Sequence, residues 1–317
     1  MNRTRLVLLA IGLLWLFMQS YLPAISAELQ VGLFLSGIVL LGIPHGAADL
    51  LVATRNAENA QKTFSEVHFF VNYLGRLLLF AAVLWLFPLA GNVLFIFFAA
   101  YHFGETDTHQ FKTDNWVGKI FITAYGLVVL GVILLHHFDE VRPLYLLFDA
   151  GIKNLFFIDW IAQNRYLILA TFFLFFFASA TFYFIKNKTN LRHNRVFFVH
   201  LFVILFILYH LPMILGFTFY FVVWHSVLSL RNIVRYLRKD NVFSTSRIVQ
   251  QIGMYSALAM AGILLFGATG FMFAHNDAML VYVFLGLAVL TAPHMQIMHD
   301  MYKSMRMPQA RTKESQI

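Results

Sequence analysis

The chain alternates between long apolar runs and short polar gaps. Because a helix needs about 20 apolar residues to cross the hydrocarbon core of a bilayer, these runs predict membrane-spanning helices. The candidate spans cover residues 5–22, 30–54, 68–88, 92–111, 118–137, 165–185, 196–211, 214–237, 248–273 and 278–302. The pattern predicts an all-α polytopic bundle of about ten spans, or eight if the shortest runs do not cross, within a single integral membrane domain over residues 1–317.

Basic side chains in the gaps predict the orientation of the bundle. They gather at residues 3–5, 186–195, 231–247 and 303–313. With ten spans and both termini cytoplasmic, all four groups lie on the cytoplasmic side, as the positive-inside rule requires. The net charge of +8 is therefore explained by orientation, and we expect a multi-pass protein of the inner (plasma) membrane, in contact with lipid and with no nucleic-acid partner.

Two segments have an alternative interpretation. The first apolar run resembles the hydrophobic region of a signal peptide, but no convincing small-residue cleavage site follows it. We predict a retained first helix, with a removed signal peptide as the alternative. The longest outer connection, residues 138–164, mixes charged and apolar residues and predicts a short helix lying in the membrane interface.

Composition restricts the chemistry that the chain can carry. It is 60% hydrophobic and 12% charged, far from the average of a soluble domain. It contains no cysteine, so disulfides, thiolate metal sites and a cysteine nucleophile are excluded. A metal ion must be held by histidine or carboxylate side chains, and 13 histidines are available.

Four of these histidines interrupt apolar runs. They occur in "GIPHGAAD" (His45), "FAAYHFGETD" (His102), "YFVVWHSVLS" (His225) and "LTAPHMQIMHD" (His294). In the ten-span arrangement all four lie on even-numbered helices that run inward, at about 10 to 15 Å from the cytoplasmic end at 1.5 Å per residue. Ionisable residues inside spans usually face the bundle interior and mark function. Convergent imidazoles at one depth predict an iron, copper or zinc site.

Nearby polar residues extend this candidate site. Asp49 stands four residues after His45, on the same helix face, so it is predicted to accept the second imidazole N–H or to bind metal. Glu105, Asp107 and His299 are further candidates for ligands or supporting residues, with a solvated helix end as the alternative for the two carboxylates. His200 is a reserve ligand. Tyr101 and Trp224 are interpreted as packing residues. Six further histidines are interpreted as interfacial: His68, His109, His136, His137, His193 and His275.

Taken in order, "PHGAAD", "YHFGETD", "WHS" and "APHM" resemble the Brp/Blh family of bacterial and archaeal β-carotene central-cleavage dioxygenases. The resemblance implies a non-haem Fe²⁺ enzyme that uses O₂ to split β-carotene into two retinal molecules, and a functional link to a microbial rhodopsin through retinal supply. It assigns the iron-binding histidines to His45, His102, His225 and His294. The family often has a second histidine four residues after the third one, where this chain has Ser229.

The chemistry of this substrate agrees with the apolar character of the chain. β-Carotene has no hydrogen-bonding groups, so it must be positioned by shape. Phenylalanine-rich runs at residues 172–177 and 217–224 are candidates for the lining of a tunnel, with packing or lipid contact as the alternative. Competing functions are another histidine-ligated membrane oxidase of the desaturase or hydroxylase kind, a transporter with a histidine and aspartate ion site, and a haem-binding electron carrier.

Overall fold

The computed structural model describes residues 3–147, 152–188, 194–239, 243–268 and 279–306, and these residues contain helices and no strand. The helices are α1 (Arg3–Tyr21), α2 (Ala27–Gly37), α3 (Ile43–Ala47), α4 (Asp49–Asn59), α5 (Glu66–Leu86), α6 (Pro88–Thr108), α7 (Trp116–Gly131), α8 (Phe138–Leu146), α9 (Leu155–Lys186), α10 (Arg195–His210), α11 (Met213–Phe217), α12 (Val227–Arg238), α13 (Thr245–Ala268) and α14 (Met279–Arg306). Three π-helical segments complete the set: π1 (Ile38–Gly42), π2 (Val132–His136) and π3 (Thr218–Ser226).

Each of the ten predicted spans coincides with a helical segment, although the end of the ninth and the first residue of the tenth lie outside the described residues. Six helical segments within the described part of the chain are long and apolar enough to cross a membrane. They are Arg3–Tyr21, Ala27–Asn59, Glu66–Leu86, Trp116–His136, Leu155–Lys186 and Met213–Arg238. The structure thus supports a helical membrane protein, and the count of ten spans and the cytoplasmic position of the termini stay predictions.

One boundary differs clearly from the prediction. The short helix expected in the connection after residue 137 is α8, but α9 begins at Leu155, ten residues before the predicted start at residue 165. The polar residues in this stretch obscured the helix in the sequence. Asp159 lies in this first part of α9 and accepts a hydrogen bond from Arg142 of α8 at 2.9 Å.

Polar residues mark several helix starts. Ser26, Ser65 and Asn115 each precede a helix, and their side chains accept a hydrogen bond from the backbone N–H three residues later. These side chains satisfy donors that the first helical turn leaves free. Pro88 begins α6, a position where proline loses no hydrogen bond.

Two of the π-helical segments pack against each other next to histidines of the candidate site. π1 ends two residues before Pro44 and three before His45, while π3 contains His225. A π-helix inserts an extra residue into a helical turn and is frequent at functional sites. It also changes which side chains share a face, so the helical register that the sequence suggests does not hold across these segments.

The closest helix packing in the bundle is between α6 and α7. A Cβ atom at Gly104 would overlap the backbone carbonyl of Ile122, and one at Gly126 would overlap the carbonyl of Ala100. Small residues allow this approach, which is typical of membrane helices. Because Gly104 follows His102 by two residues, the same contact fixes the height of the His102 helix in the bundle.

Candidate metal centre

Four imidazoles from four helical segments meet inside the bundle. They belong to α3, α6, π3 and α14, and their exposed fractions are 6% for His45, 3% for His102, 0% for His225 and 7% for His294. Adjacent rings of this group, hereafter the histidine cluster, have centroids 4.8 to 5.6 Å apart. The structure therefore brings together the four histidines that the sequence singled out.

Three ring nitrogens of the cluster are close enough to one another to share one ion. His45, His102 and His294 each offer one nitrogen, and these three atoms lie within 4.8 Å of one another. The Nε2 atom of His225 lies 3.1 Å from the Nε2 atom of His102. Imidazole nitrogens bind metals at about 2.0 to 2.1 Å, so nitrogens around a common ion stand a few ångströms apart, as they do here.

Asp49 supports the cluster, but through a different histidine from the one predicted. Its Oδ1 atom accepts a hydrogen bond from Nδ1 of His294 at 2.7 Å, and its Oδ2 atom accepts one from the Tyr73 hydroxyl at 3.0 Å. The prediction that Asp49 pairs with His45 was wrong, because the helix is interrupted at Ala48 between α3 and α4. Nδ1 of His45 instead lies 3.4 Å from the hydroxyl of Ser226.

The two carboxylates after His102 are buried, so the solvated helix end is excluded for both. Asp107 is 2% exposed, and its carboxylate accepts hydrogen bonds from Tyr125 (2.8 Å), Tyr220 (3.0 Å) and Trp224 (2.9 Å). Trp224 was interpreted as a packing residue, and this bond corrects that interpretation. Since Trp224 directly precedes His225, Asp107 supports the π3 segment rather than the ion site itself.

A cation from the first helix lies beside this network. Arg5 is 6% exposed, its guanidinium donates to the backbone carbonyl of Asp107 at 2.7 Å, and it lies 6.0 Å from the ring centroid of Trp224. A buried charge needs such partners. Helix α1 is thereby connected to the helices that carry His102 and His225.

The other candidates form a separate group near the end of α14. Oε1 of Glu105, which is fully buried, accepts from Nδ1 of His299 at 2.9 Å and from Arg306 at 3.2 Å. The Tyr101 hydroxyl lies 3.0 Å from the same His299 nitrogen, so Tyr101 is also more than a packing residue. Glu105 and His299 therefore tie α6 to α14.

The reserve and family positions also lie apart from the cluster. His200 is 5% exposed, packs near Trp224 and finds no hydrogen-bond partner among the described residues. Ser229 is fully buried on α12. The fourth imidazole of the cluster thus comes from His294 and not from a position four residues after His225. His193 and His275, interpreted as interfacial, lie outside the described residues.

The two phenylalanine-rich runs have different environments. In the first run, Phe176 packs against Phe121 and Tyr125, while Phe177 is 58% exposed at the surface. That run packs the bundle and faces outward, which agrees with the alternative of packing or lipid contact. In the second run, the ring centroids of Phe221 and His45 are 6.1 Å apart.

The cluster fits a bound metal ion by its donor set. Within the described part of the chain, Nε2 of His294 is buried with no hydrogen-bond partner, while its Nδ1 atom is engaged by Asp49. An imidazole that donates Nδ1–H to a carboxylate carries its lone pair on Nε2, which is the usual arrangement of a metal-bound histidine. Nδ1 of His102 and Nδ1 of His225 also find no hydrogen-bond partner among the residues that the structure describes. A site of imidazoles without thiolates suits iron, copper or zinc.

The sequence did not reveal several supporting residues. Tyr73, Ser226, Tyr125 and Tyr220 are ordinary residues of apolar helices, and only their contacts identify them. Arg5 was visible as a charge but was interpreted only as a marker of orientation. Its position close to the start of an apolar run fits both a marker of orientation and a buried side chain that connects helices.

Comparison with known proteins indicates the family that the four histidine motifs resemble. The family model described as beta-carotene 15,15'-dioxygenase matches residues 36–302. A protein named beta-carotene 15,15'-dioxygenase, from an uncultured marine bacterium (66A03), is 24% identical over 271 residues, which cover 84% of this chain and 92% of that protein. No solved structure matches the chain significantly.

Proposed function

The chain belongs to the β-carotene 15,15'-dioxygenase family and is a carotenoid-cleaving enzyme, and from this premise we propose that it converts β-carotene and O₂ into two molecules of all-trans-retinal. The observation that carries the proposal is the histidine cluster, a buried set of four imidazoles with nitrogen atoms that face one another. We propose Fe²⁺ as the metal, held by His45, His102, His225 and His294. When bound, ferrous iron would supply the electrons that activate O₂, whereas zinc has no redox chemistry and would not.

The overall reaction needs no further reactant. The central C=C bond breaks, each of its two carbons gains one oxygen atom from O₂, and the oxidation of the carbons balances the reduction of O₂. No proton is taken up or released, so the site needs no catalytic acid or base. This agrees with a cluster whose carboxylate neighbours, Asp49 and Asp107, are occupied by hydrogen bonds.

The residues of the chain position the reactants and exclude water. Asp49 holds the ring of His294 in one orientation, and Tyr73 holds Asp49. On the other side, the rings of Phe103 and Phe221 pack on His225, with centroids 4.6 and 6.2 Å from it. These apolar walls keep water from the site and accept a hydrocarbon, which reaches the bundle from the surrounding lipid.

The proposed setting follows from the helices and the product. We propose a multi-pass protein of the inner membrane, a single domain of about ten spans with both termini cytoplasmic. Retinal released into that membrane would supply a microbial rhodopsin.

Expression in a β-carotene-accumulating bacterium tests the proposal. Extracts are analysed for retinal by liquid chromatography, and iron is measured in the purified protein. We expect retinal and bound iron with the wild type, and loss of both with His45→Ala and His225→Ala. His68→Ala is the matched control, since His68 is an exposed histidine outside the cluster. Unchanged carotenoid with a folded, iron-loaded wild type would refute the substrate assignment, and retinal from both cluster variants would refute the assigned site.

A further inference from the structure

Three phenylalanine rings meet at one level of the bundle, on the N-terminal side of the histidine cluster. Phe34, Phe217 and Phe284 have ring centroids between 5.2 and 5.7 Å apart. Phe34 is fully buried, and the other two are half-buried. We call these three rings the aromatic stop. They close the space between three helical segments.

Each ring of the aromatic stop precedes one histidine of the cluster on the same helical segment. The separations are eleven residues from Phe34 to His45, eight from Phe217 to His225 and ten from Phe284 to His294. The three segments touch at the aromatic stop and again at the cluster, so they run side by side in the same chain direction. At about 1.5 Å per residue, the stop lies roughly 12 to 16 Å from the imidazoles.

One further ring connects the two levels. Phe221 is nearly parallel to Phe217, with an interplanar angle of 12° and centroids 5.4 Å apart, and equally parallel to His225. It is 8% exposed. One aromatic ring therefore lies between the stop and the cluster and faces both.

We propose that the aromatic stop measures the substrate and selects the central double bond for cleavage. This inference rests on the proposed function. From the central bond to the terminal ring, half of β-carotene contains about nine bonds, or about 10 Å at the roughly 1.1 Å per bond of an extended chain. The terminal ring adds a few ångströms. A half-molecule whose ring rests against Phe34, Phe217 and Phe284 thus places its central bond at the histidine cluster.

Measuring one half is sufficient because the substrate is symmetric. The stop also explains how a hydrocarbon without polar groups can be cut at one of many similar double bonds. Hydrogen bonds cannot identify that bond, whereas a wall at a fixed distance can. The three phenylalanines are therefore specificity-determining residues, and the imidazoles define only where the chemistry takes place.

A substituted stop tests this directly. Phe284→Leu keeps most of the apolar volume, and Phe284→Ala opens the half-buried end of the stop. We expect β-carotene to slide deeper, so that products of unequal length increase on the order of tenfold for alanine and less for leucine. Phe177→Ala, at an exposed phenylalanine, should form retinal alone. Iron content identifies folded variants. Retinal as the sole product of a folded, iron-loaded Phe284→Leu and Phe284→Ala pair would overturn the proposal.

A second measurement uses the unchanged enzyme. β-Carotene analogues shortened at one end keep one intact, ring-bearing half. If the stop measures that half, the cut stays at the same bond counted from the intact ring, and one product is always retinal. A cut that moves as the other end is shortened would overturn the proposal. An enzyme that cleaves no carotenoid at all would instead refute the proposed function, so the two failures are distinguishable.

Discussion

Replacing Asp49 with asparagine would remove one charge from the support of the histidine cluster and leave the shape of the side chain almost unchanged. In the wild type, Nδ1 of His294 lies 2.7 Å from the carboxylate. The amide oxygen of the asparagine can still accept the hydrogen bond from this nitrogen. The amide nitrogen can donate to the hydroxyl of Tyr73, so no buried group loses its only partner. What changes is the strength of the bond to the imidazole, because hydrogen bonds to an ionised acceptor are roughly twice as strong as neutral ones.

The size of the effect follows from the role of Asp49. Loss of a carboxylate that orients a metal-bound histidine costs about 10- to 100-fold in metal affinity, which corresponds to about 1.4 to 2.7 kcal/mol at 1.36 kcal/mol per factor of ten. Tyr73→Phe removes only a neutral donor to Asp49. We expect Tyr73→Phe to weaken metal binding by about 0.5 to 1.5 kcal/mol, which is less than the effect of Asp49→Asn.

The assay is competition for Fe²⁺ between the purified protein and a chelator of known affinity, under anaerobic conditions. The expected order of affinity is wild type, Tyr73→Phe, then Asp49→Asn. If Asp49→Asn binds iron within twofold of the wild type, Asp49 does not support a metal-bound His294. If the asparagine variant binds no iron although it is folded, Asp49 is itself a ligand, and the arrangement described above is wrong.

Three further predictions concern the support of the bundle. Gly104→Ala should lower the stability of the detergent-solubilised protein by about 1 to 3 kcal/mol through overpacking. Gly75→Ala, where a methyl group meets open space, should not. Equal melting temperatures of the two variants would contradict the α6–α7 contact. Arg5→Met should lower the yield of folded protein because the buried backbone carbonyl of Asp107 loses its charged donor. A yield of folded protein equal to that of the wild type would refute this contact. A hydrogen bond from His137 lowers the pKa of Glu140. The stability that Glu140 contributes is therefore present above the usual glutamate pKa and is lost as the pH falls through the lowered value. In melting curves recorded over a pH series, Glu140→Gln should reduce the loss of melting temperature at acidic pH.

The sequence was sufficient for the helices and for the four central imidazoles. Hydropathy locates apolar helices directly, and a histidine within such a run needs a partner wherever the fold places it. The partners themselves depend on register. The interruption at Ala48 and the π-helical turns break the rule that residues four apart share a face, so Asp49 supports a histidine 245 positions away in sequence.

The carboxylates after His102 show a second limit. Whether Asp107 lies in water or inside the bundle depends on donors from α7 and π3, which come from distant parts of the chain. No local pattern encodes their convergence. The same holds for the phenylalanines, because both aromatic runs have similar composition and only the packing of the helices separates a surface run from one beside the cluster.

The buried guanidinium of Arg5 also has a consequence for biogenesis. Its acceptor lies 102 residues later in the sequence, and the adjacent indole of Trp224 later still. Domains generally assemble as units as synthesis proceeds. Helix α1 therefore reaches its final contacts only after α6 and π3 have been synthesised. Its docking depends on segments that are made after it, so the order of assembly differs from the order of synthesis.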